Sequence, residues 1–344
     1  MRVVDLRSDF LSRPTAAMRR SMDLAAAEQC HFGLREDPHQ AALERRAAEL
    51  LGKEDALLVP TCTMANEIAL MLLARPGEVV AAQADAHIVT SEAGAPAALG
   101  GLFVACVVGD AVMPPVEAWT AIAGRGADEL KPRVAAFSIE NTHNRRGGAV
   151  LTADYTAAIC GVAKAHGLSM HLDGSRLFNA AVALGCDPIG LTQDCDTVAL
   201  SLNKGLGAPV GAILAGSREL IASALVVRQR LGGGFRPTGV IAAAGMIALE
   251  DWSHLAADHE RAKRLALELS KVPGLSVRAD FVETNIVAVK ISAAEVAPAQ
   301  LCQRLAEKGI LALPFGSERI RLVTYRDIDD EAIDRAARTI PTCL

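Results

Sequence analysis

Lys204 ends an apolar run, Val198-Ala199-Leu200-Ser201-Leu202-Asn203, and is followed by Gly205, Gly207 and Pro209. A lysine on a surface is a solvated charge. A lysine withdrawn from water has a lowered pKa and becomes an amine nucleophile, able to bond covalently to a carbonyl group. Asp173 closes a second apolar run, Leu168-Ser169-Met170-His171-Leu172, and Gly174-Ser175-Arg176 follows it. A carboxylate there could hold the protonated ring nitrogen of pyridoxal phosphate, whose electron-accepting power depends on that proton. An aspartate capping the next helix, worth about 1 kcal/mol, would occupy the same position. Both readings of Asp173 stand at this level.

Thr61-Cys62-Thr63-Met64-Ala65-Asn66 joins a strand pattern to a helix pattern. A helix N-terminus presents free N–H groups and the positive end of a dipole, which suits a phosphate, although an ordinary Thr-capped helix looks the same. No glycine-lysine pattern of the nucleoside-triphosphate kind accompanies it. His87 lies at the start of another helical stretch, and a lone histidine is more often packed or exposed than functional. The same plain reading covers His31, His39, His166, His254 and His259. His171 shares the strand face of Asp173, as a supporting partner or as simple packing.

These residues need elements to position them. Asp37-Pro38-His39-Gln40 reads as a helix start, with a capping Asp, Pro in the first turn and Gln three residues on. Its helix carries Leu43, Ala47, Leu50 and Leu51 on one stripe and stops at Gly52. Short apolar runs at Ala56–Val59, Glu78–Ala82, Leu102–Val108, Val134–Ile139, Leu168–Leu172, Thr197–Leu202 and Val210–Leu214 read as buried strands. Helical stretches such as Tyr155–His166 separate several of them. The alternation predicts an α/β fold with a largely parallel sheet covered on both faces. In such sheets ligands gather beyond the carboxyl ends of the strands. Thr61-Cys62-Thr63, Glu140-Asn141-Thr142-His143-Asn144, Asp173 to Arg176 and Asn203-Lys204-Gly205 all fall at such ends.

Beyond Gly245 the texture changes to a long helix over Asp251–Lys271, strands at Leu275–Ala279 and Ile286–Ile291, a helix over Pro298–Lys308 and a strand at Arg319–Val323. We expect a large domain over 1–245, with an N-terminal arm, and a small α+β domain over 246–344. A chain of 344 residues exceeds what one core usually spans. With 51% apolar and 22% charged residues it packs as a globular protein. The net charge of -5 argues against nucleic acid as a partner. The apolar stretch Val240 to Leu249 is too short for a membrane span, which needs roughly 20 residues. Asp5, Arg7 and Asp9 interrupt any signal-peptide pattern. The eight cysteines stand singly, which indicates neither zinc nor a disulfide framework but reduced thiols in the cytoplasm.

Several segments resemble the L-threonine aldolases: Val4-Asp5-Leu6-Arg7-Ser8-Asp9, Glu36-Asp37-Pro38, Gly52-Lys53-Glu54-Asp55-Ala56, the Glu140–Asn144 run, His171 to Ala180, Lys204 to Gly211, and Gly232-Gly233-Gly234-Phe235-Arg236. They run in the family's order from residue 4 to about residue 326. The resemblance implies a fold type I pyridoxal 5'-phosphate enzyme and a homotetramer built from dimers that share active sites, and no residue is assigned to a metal. It implies Lys204 as the lysine that carries the cofactor as an imine, Asp173 as the partner of the ring nitrogen, and His87 as the imidazole stacked on the ring. Cys62 and Thr63 would cradle the phosphate through their N–H groups, with Arg236 near the phosphate and a subunit interface. Ser8, Arg176 and Arg321 would hold the carboxylate of an amino-acid substrate. The implied reaction is retro-aldol cleavage of a β-hydroxy-α-amino acid of the threonine, allo-threonine or phenylserine type to glycine and an aldehyde.

Departures from the family pattern fall on Phe32-Gly33 with Leu34-Arg35 inserted, Cys62, Asn203, Gln229, Pro237 and Leu130, the last where a histidine is common. We expect these positions to lie near the site and to loosen the demand for a polar β-substituent. A β-eliminating lyase on the same scaffold is the nearest rival, and a non-catalytic cofactor-binding member a more distant one. A dinucleotide-binding dehydrogenase lacks its GxGxxG after the first strand.

Overall fold

The computed structural model describes residues 3–28, 32–109, 113–126, 130–292 and 296–344, so His31 lies outside the described residues. In chain order the strands are β1 (Val4–Asp5), β2 (Asp55–Val59), β3 (Val79–Gln83), β4 (Phe103–Val107), β5 (Val134–Glu140), β6 (Ser169–Asp173), β7 (Thr197–Ser201), β8 (Ala212–Gly216), β9 (Leu275–Ser276), β10 (Ile286–Ile291), β11 (Ile310–Leu311), β12 (Leu313–Pro314) and β13 (Arg319–Val323).

Seven of them form the main sheet, in the order β2-β8-β7-β6-β5-β3-β4. Pairing is parallel throughout β7, β6, β5, β3 and β4, while β8 runs antiparallel to both β7 and β2. β2 therefore points the same way as the parallel strands, and its carboxyl end joins theirs at one edge. Continuous apolar runs form these strands because both faces are covered. Along β2, Ala56 and Leu58 enter one core while Leu57 and Val59 enter the other. Helices Pro38–Leu50, Ala153–Ala165 and Gly239–Glu250 lie on the first face, Cys62–Leu73 and Arg218–Arg230 on the second.

The expected strands are present with shifts of one or two residues, and the larger differences have local causes. Gly211, at φ +113°, delays β8 to Ala212. Asp37 caps its helix through the N–H groups of His39 and Gln40, but the Gln40 side chain turns to Leu34 and Glu44 rather than back to the cap. The long helix begins at His254, not Asp251, because Asp251 is extended and accepts from the Ser253 N–H. The strand expected over Leu275–Ala279 pairs only at Leu275–Ser276 before a 3-10 turn at Ala279–Phe281. Among the described residues no helix is long and apolar enough to cross a membrane.

A second core gathers residues from Ala262 onward around the antiparallel sheet β12-β13-β10-β9. Val4 and Leu6 belong to it too. β1 pairs in parallel with β11, and the Val323 N–H donates to the Leu6 carbonyl. The arm is thus a strand of the C-terminal region, and it carries residues 8 and 9 back to the edge of the main sheet.

The turn after β6 is as tight as the chain allows. A Cβ on Gly174 would stand 2.7 Å from the Ala199 carbonyl oxygen, which already accepts the Gly174 N–H. Gly174→Ala should therefore force β6 and β7 apart and cost about 1–3 kcal/mol, read as a lower denaturant midpoint.

Candidate active site

The carboxyl edge of the main sheet collects the residues singled out from sequence. Asp173 is the last residue of β6 and pairs in register with Glu140, the last of β5. Lys204 follows β7 by three residues, His87 begins a short helix after β3, and Cys62 begins the helix after β2. These ends surround a cavity of about 390 Å³ lined by Ser8, Phe10, His87, Arg176, Lys204 and Arg321, among others.

Asp173 is buried and fully engaged. Oδ2 accepts from Asn66 Nδ2 at 2.9 Å and Oδ1 from the Ser175 N–H at 3.1 Å. Burial alone would raise its pKa, but the charges of Lys204 and His87 hold it below the usual carboxylate value. Asn66 is itself aimed by His171, whose Nε2 lies 3.0 Å from Asn66 Oδ1 and whose Nδ1 lies 2.9 Å from Thr197 Oγ1. Burial pushes His171 down to about 4, so it is a neutral imidazole that donates to Asn66 and accepts from Thr197. His171 is thus a partner in the site and not mere packing.

His87 is clamped at two points. Its backbone N–H donates to Glu140 Oε2 at 2.8 Å, and its ring Nδ1 meets Glu92 Oε1 at 2.6 Å. Burial would lower its pKa, but the Glu92 hydrogen bond and the nearby carboxylates outweigh that and raise it above the ordinary histidine value. Nε2 is left toward other partners. The other Glu140 oxygen accepts from the Asn144 N–H, and Asn144 Oδ1 accepts from Arg321 at 2.9 Å. The Glu140–Asn144 run is therefore the brace between His87 and Arg321. His87, Glu92 and Asp173 bring ligand atoms within 4.8 Å of one another. Asn66 Nδ2 donates to both carboxylates and His87 to one, so protein donors explain that cluster.

The two arginines converge from different cores. Arg176 gives Nε and Nη2 to Asp9 at 2.7 Å each, a buried bidentate pair. Burial would raise Asp9, but Arg176 holds it down to about 2. Arg321, on β13, is pushed down to about 10 by burial and by the charge of Arg176. Ser8 accepts from the Phe10 N–H and lines the same cavity.

The Lys204 amine is buried, 5.1 Å from the Phe10 ring centroid. The described residues form no hydrogen bond or ion pair with it. Burial, and then the charge of Arg176, lower its pKa toward the range where a neutral amine is populated. Cys62 and Thr63 occupy the first turn of the helix capped by Thr61, where backbone N–H groups have no intrahelical acceptor. The Cys62 thiol accepts from Ser175 Oγ at 3.0 Å, and burial pushes its pKa up. Arg236 is not brought to this cavity. It is exposed and donates to the Phe32 carbonyl.

Of the departures expected near the site, Cys62 is there, beside Asp173 and Ser175, whereas Asn203 adjoins Lys204 in sequence but accepts from Ser201 Oγ and does not line the cavity. Within one chain Leu130, Gln229 and Pro237 are not among the cavity residues, and Leu130 is 94% exposed at the amino end of β5, the opposite edge of the sheet. Asp9, Asn66, Glu92, Phe10 and Phe315 are site residues that sequence reading missed. Asp9 carried the one usable signal, an acidic residue in an arm otherwise matched to the site.

The family model described as β-eliminating lyase matches residues 5–293. Low-specificity L-threonine aldolase 1 of Arabidopsis thaliana is 39% identical over 334 residues, which is 95% of this chain and 92% of that protein. The solved threonine aldolase of Leishmania major superposes with a TM-score of 0.82 at 21% identity, covering 98% of each chain. A structure described as SPT with PLP superposes with a TM-score of 0.77 at 18% identity, over 99% of this chain and 87% of that one.

Asp9→Asn should leave the Arg176 charge buried without a counter-charge and cost roughly 3 kcal/mol at neutral pH. The pair's contribution is complete above the unfolded aspartate pKa and is lost as pH falls through about 2. The gap between wild type and variant in denaturant unfolding should therefore close as pH falls from about 4 toward 2.

Proposed function

The chain belongs to the β-eliminating lyase family, among relatives of the low-specificity L-threonine aldolases, and we propose that it is a carbon–carbon lyase using pyridoxal 5'-phosphate to cleave L-β-hydroxy-α-amino acids to glycine and an aldehyde. The observation that carries this reading is the convergence at one cavity of a buried amine with no hydrogen bond or ion pair among the described residues, a clamped imidazole and two arginines, with the held carboxylate of Asp173 close to the amine and the imidazole.

The residues fit that cofactor. Lys204 would hold it covalently, Asp173 its ring nitrogen and His87 its ring face. The N–H groups of Cys62 and Thr63 would hold its phosphate. When bound, the cofactor supplies the sink for the electron pair left on the substrate's α-carbon. Asp173 suits its part because Lys204 and His87 keep it ionised while Asn66 and Ser175 hold it in place.

Arg176 and Arg321 would bind the substrate carboxylate, with the Ser8 hydroxyl beside them. Two fixed arginines set the rotation about the α-carbon, which decides which bond is aligned for cleavage. Asp9 aims Arg176 and Asn144 aims Arg321, so that alignment is built before substrate arrives. His87 Nε2 is the available base for the β-hydroxyl proton, because Nδ1 is tied to Glu92. Loss of that proton breaks Cα–Cβ, the aldehyde leaves, and a proton returned to the α-carbon completes glycine. Phe10, Leu313 and Phe315 give the cavity an apolar wall, which favours an apolar β-substituent of the phenylserine type over threonine.

We also propose a homotetramer of two site-sharing dimers. Arg236 lies outside its own cavity against Phe32, itself 87% exposed, and would serve the phosphate of a partner copy. The seven described cysteines are all free, which suits a cytoplasmic enzyme. The two cores support a large and a small domain with the arm joining them, but Ala248, Leu249 and Leu255 still pack in the first core and the second, beyond the arm, begins at Ala262, so the boundary falls beyond the expected residue 245.

A panel of β-hydroxy-α-amino acids, with glycine and aldehyde both quantified, tests the reaction. Equal amounts of the two are expected, whereas pyruvate and ammonia would indicate β-elimination instead. Lys204→Ala should lose the visible absorbance of the lysine–cofactor linkage and fall in kcat by on the order of 100-fold or more. As a base His87 must be neutral, so kcat should rise with pH through a midpoint above the ordinary histidine value. His87→Asn should lose that limb along with on the order of 100-fold in kcat.

A further inference from the structure

Behind His87 lies a pair of glutamates that the reaction described above does not use. Glu67 follows Asn66 on the helix Cys62–Leu73 and is only 2% exposed, and Glu92 is buried beside it. Among the described residues, both Glu67 oxygens and Glu92 Oε2 are buried without a donor. Glu92 Oε1 is occupied, accepting from His87 Nδ1 and Asn66 Nδ2.

Charge counting leaves one arrangement. The titratable and charged groups around this pair are His87 on the same segment as Glu92, Asp173 and His171 from β6, Glu140 from β5 and Lys204 after β7. His87 answers the charge of Glu92, Lys204 lies toward Asp173, and His171 is neutral. Among the described residues, Glu92 is the one charged group that acts on Glu67. Two ionised carboxylates in contact and out of water are strongly disfavoured, so such a pair keeps one proton.

We infer that Glu67 is a protonated acid whose hydroxyl donates to Glu92 Oε2, so that this acid–carboxylate pair fixes Glu92 and, through it, His87 against the cavity. Glu67 is then a positioning residue, three groups from the substrate. The direction of its titration agrees: burial, reinforced by the Glu92 charge, pushes Glu67 up to about 8. One proton satisfies two of the three orphaned oxygens. It also leaves Glu92 ionised, the form that holds a proton on His87 Nδ1 and keeps Nε2 facing outward. Because the folded chain retains a proton that the unfolded chain has released, this group makes folding less favourable as pH rises from about 4.5 toward 8.

The kinetic part of this inference rests on the aldolase reading, and the spectroscopic part does not. Difference infrared spectra of the holoenzyme at pH 7 should show a protonated-carboxyl carbonyl band that moves in deuterium oxide. That band should be missing from Glu67→Gln. Burial also raises Asp258 to about 7, so the band is read as wild type minus variant, and a Glu67→Gln spectrum unchanged from wild type would place the proton elsewhere and overturn the inference. In histidine-labelled protein, the His87 midpoint should fall by about one pH unit in Glu92→Gln and stay in place in Glu67→Gln, whose amide can still donate. An unmoved His87 midpoint in Glu92→Gln would break the proposed link. Kinetically, Glu67→Leu should lower kcat with little change in KM, and Glu67→Gln should recover most of the loss. Leu and Gln variants with equal kcat would reduce Glu67 to a space-filling role. If no substrate yields glycine, the aldolase reading fails while the infrared and titration results still decide the pair.

Discussion

The site is organised by one buried ion pair, Asp9 with Arg176. Removing two charges from water is costly, and only a close, well-directed pair offsets it. Here the geometry is bidentate and both side chains are covered. The partners come from regions that would otherwise be independent: Asp9 from the arm that belongs to the C-terminal core, Arg176 from the turn after β6. Asn285, next to β10, adds a hydrogen bond to Asp9 and ties itself to the Thr324 carbonyl. The pair therefore closes the arm, the small sheet and the main sheet around one cavity, and leaves Arg176 aimed before any ligand binds.

A second constraint is electrostatic balance on the far side of that cavity. Asp173, Glu92 and Glu67 bring three carboxyl groups into a region with few cations. Asn66 relieves the crowding by donating to two of them, and it can do so only because neutral His171 takes its oxygen. A charged His171 would lose its role as acceptor from Thr197. Burial, which disfavours the imidazolium, thus serves the hydrogen-bond pattern.

Much of this was legible in the chain. Buried strands need apolar residues on both faces, so β2, β5 and β7 stand out as largely apolar runs. A polar residue at the end of such a run has few explanations, which is why Lys204, Asp173 and the Glu140–Asn144 segment could be named. What escaped was contact between distant segments. Asp9 meets Arg176 across 167 positions, and Asn66 meets Asp173 across 107. Neither contact leaves a periodic trace. Leu130 failed for the opposite reason: segment order suggested proximity to the site, while the strand direction of β5 carries that residue to the opposite edge.

By itself, the sequence determined the element types, the α/β class, and which side chains would end up at strand termini, because those follow from local propensity and from the apolar pattern. It also determined that Lys204 and Asp173 could do imine chemistry and bind a pyridine ring. Only the tertiary structure decided how those groups are tuned. The raised His87, the suppressed His171, the low Asp9 and the proton shared behind His87 all depend on burial and on charges brought from other segments. Desolvation and Coulomb interaction act through space, and a linear chain does not state those distances. Lys204 is the clearest case: its identity was written in the sequence, but its lowered pKa comes from a fold that removes it from water and sets Arg176 nearby.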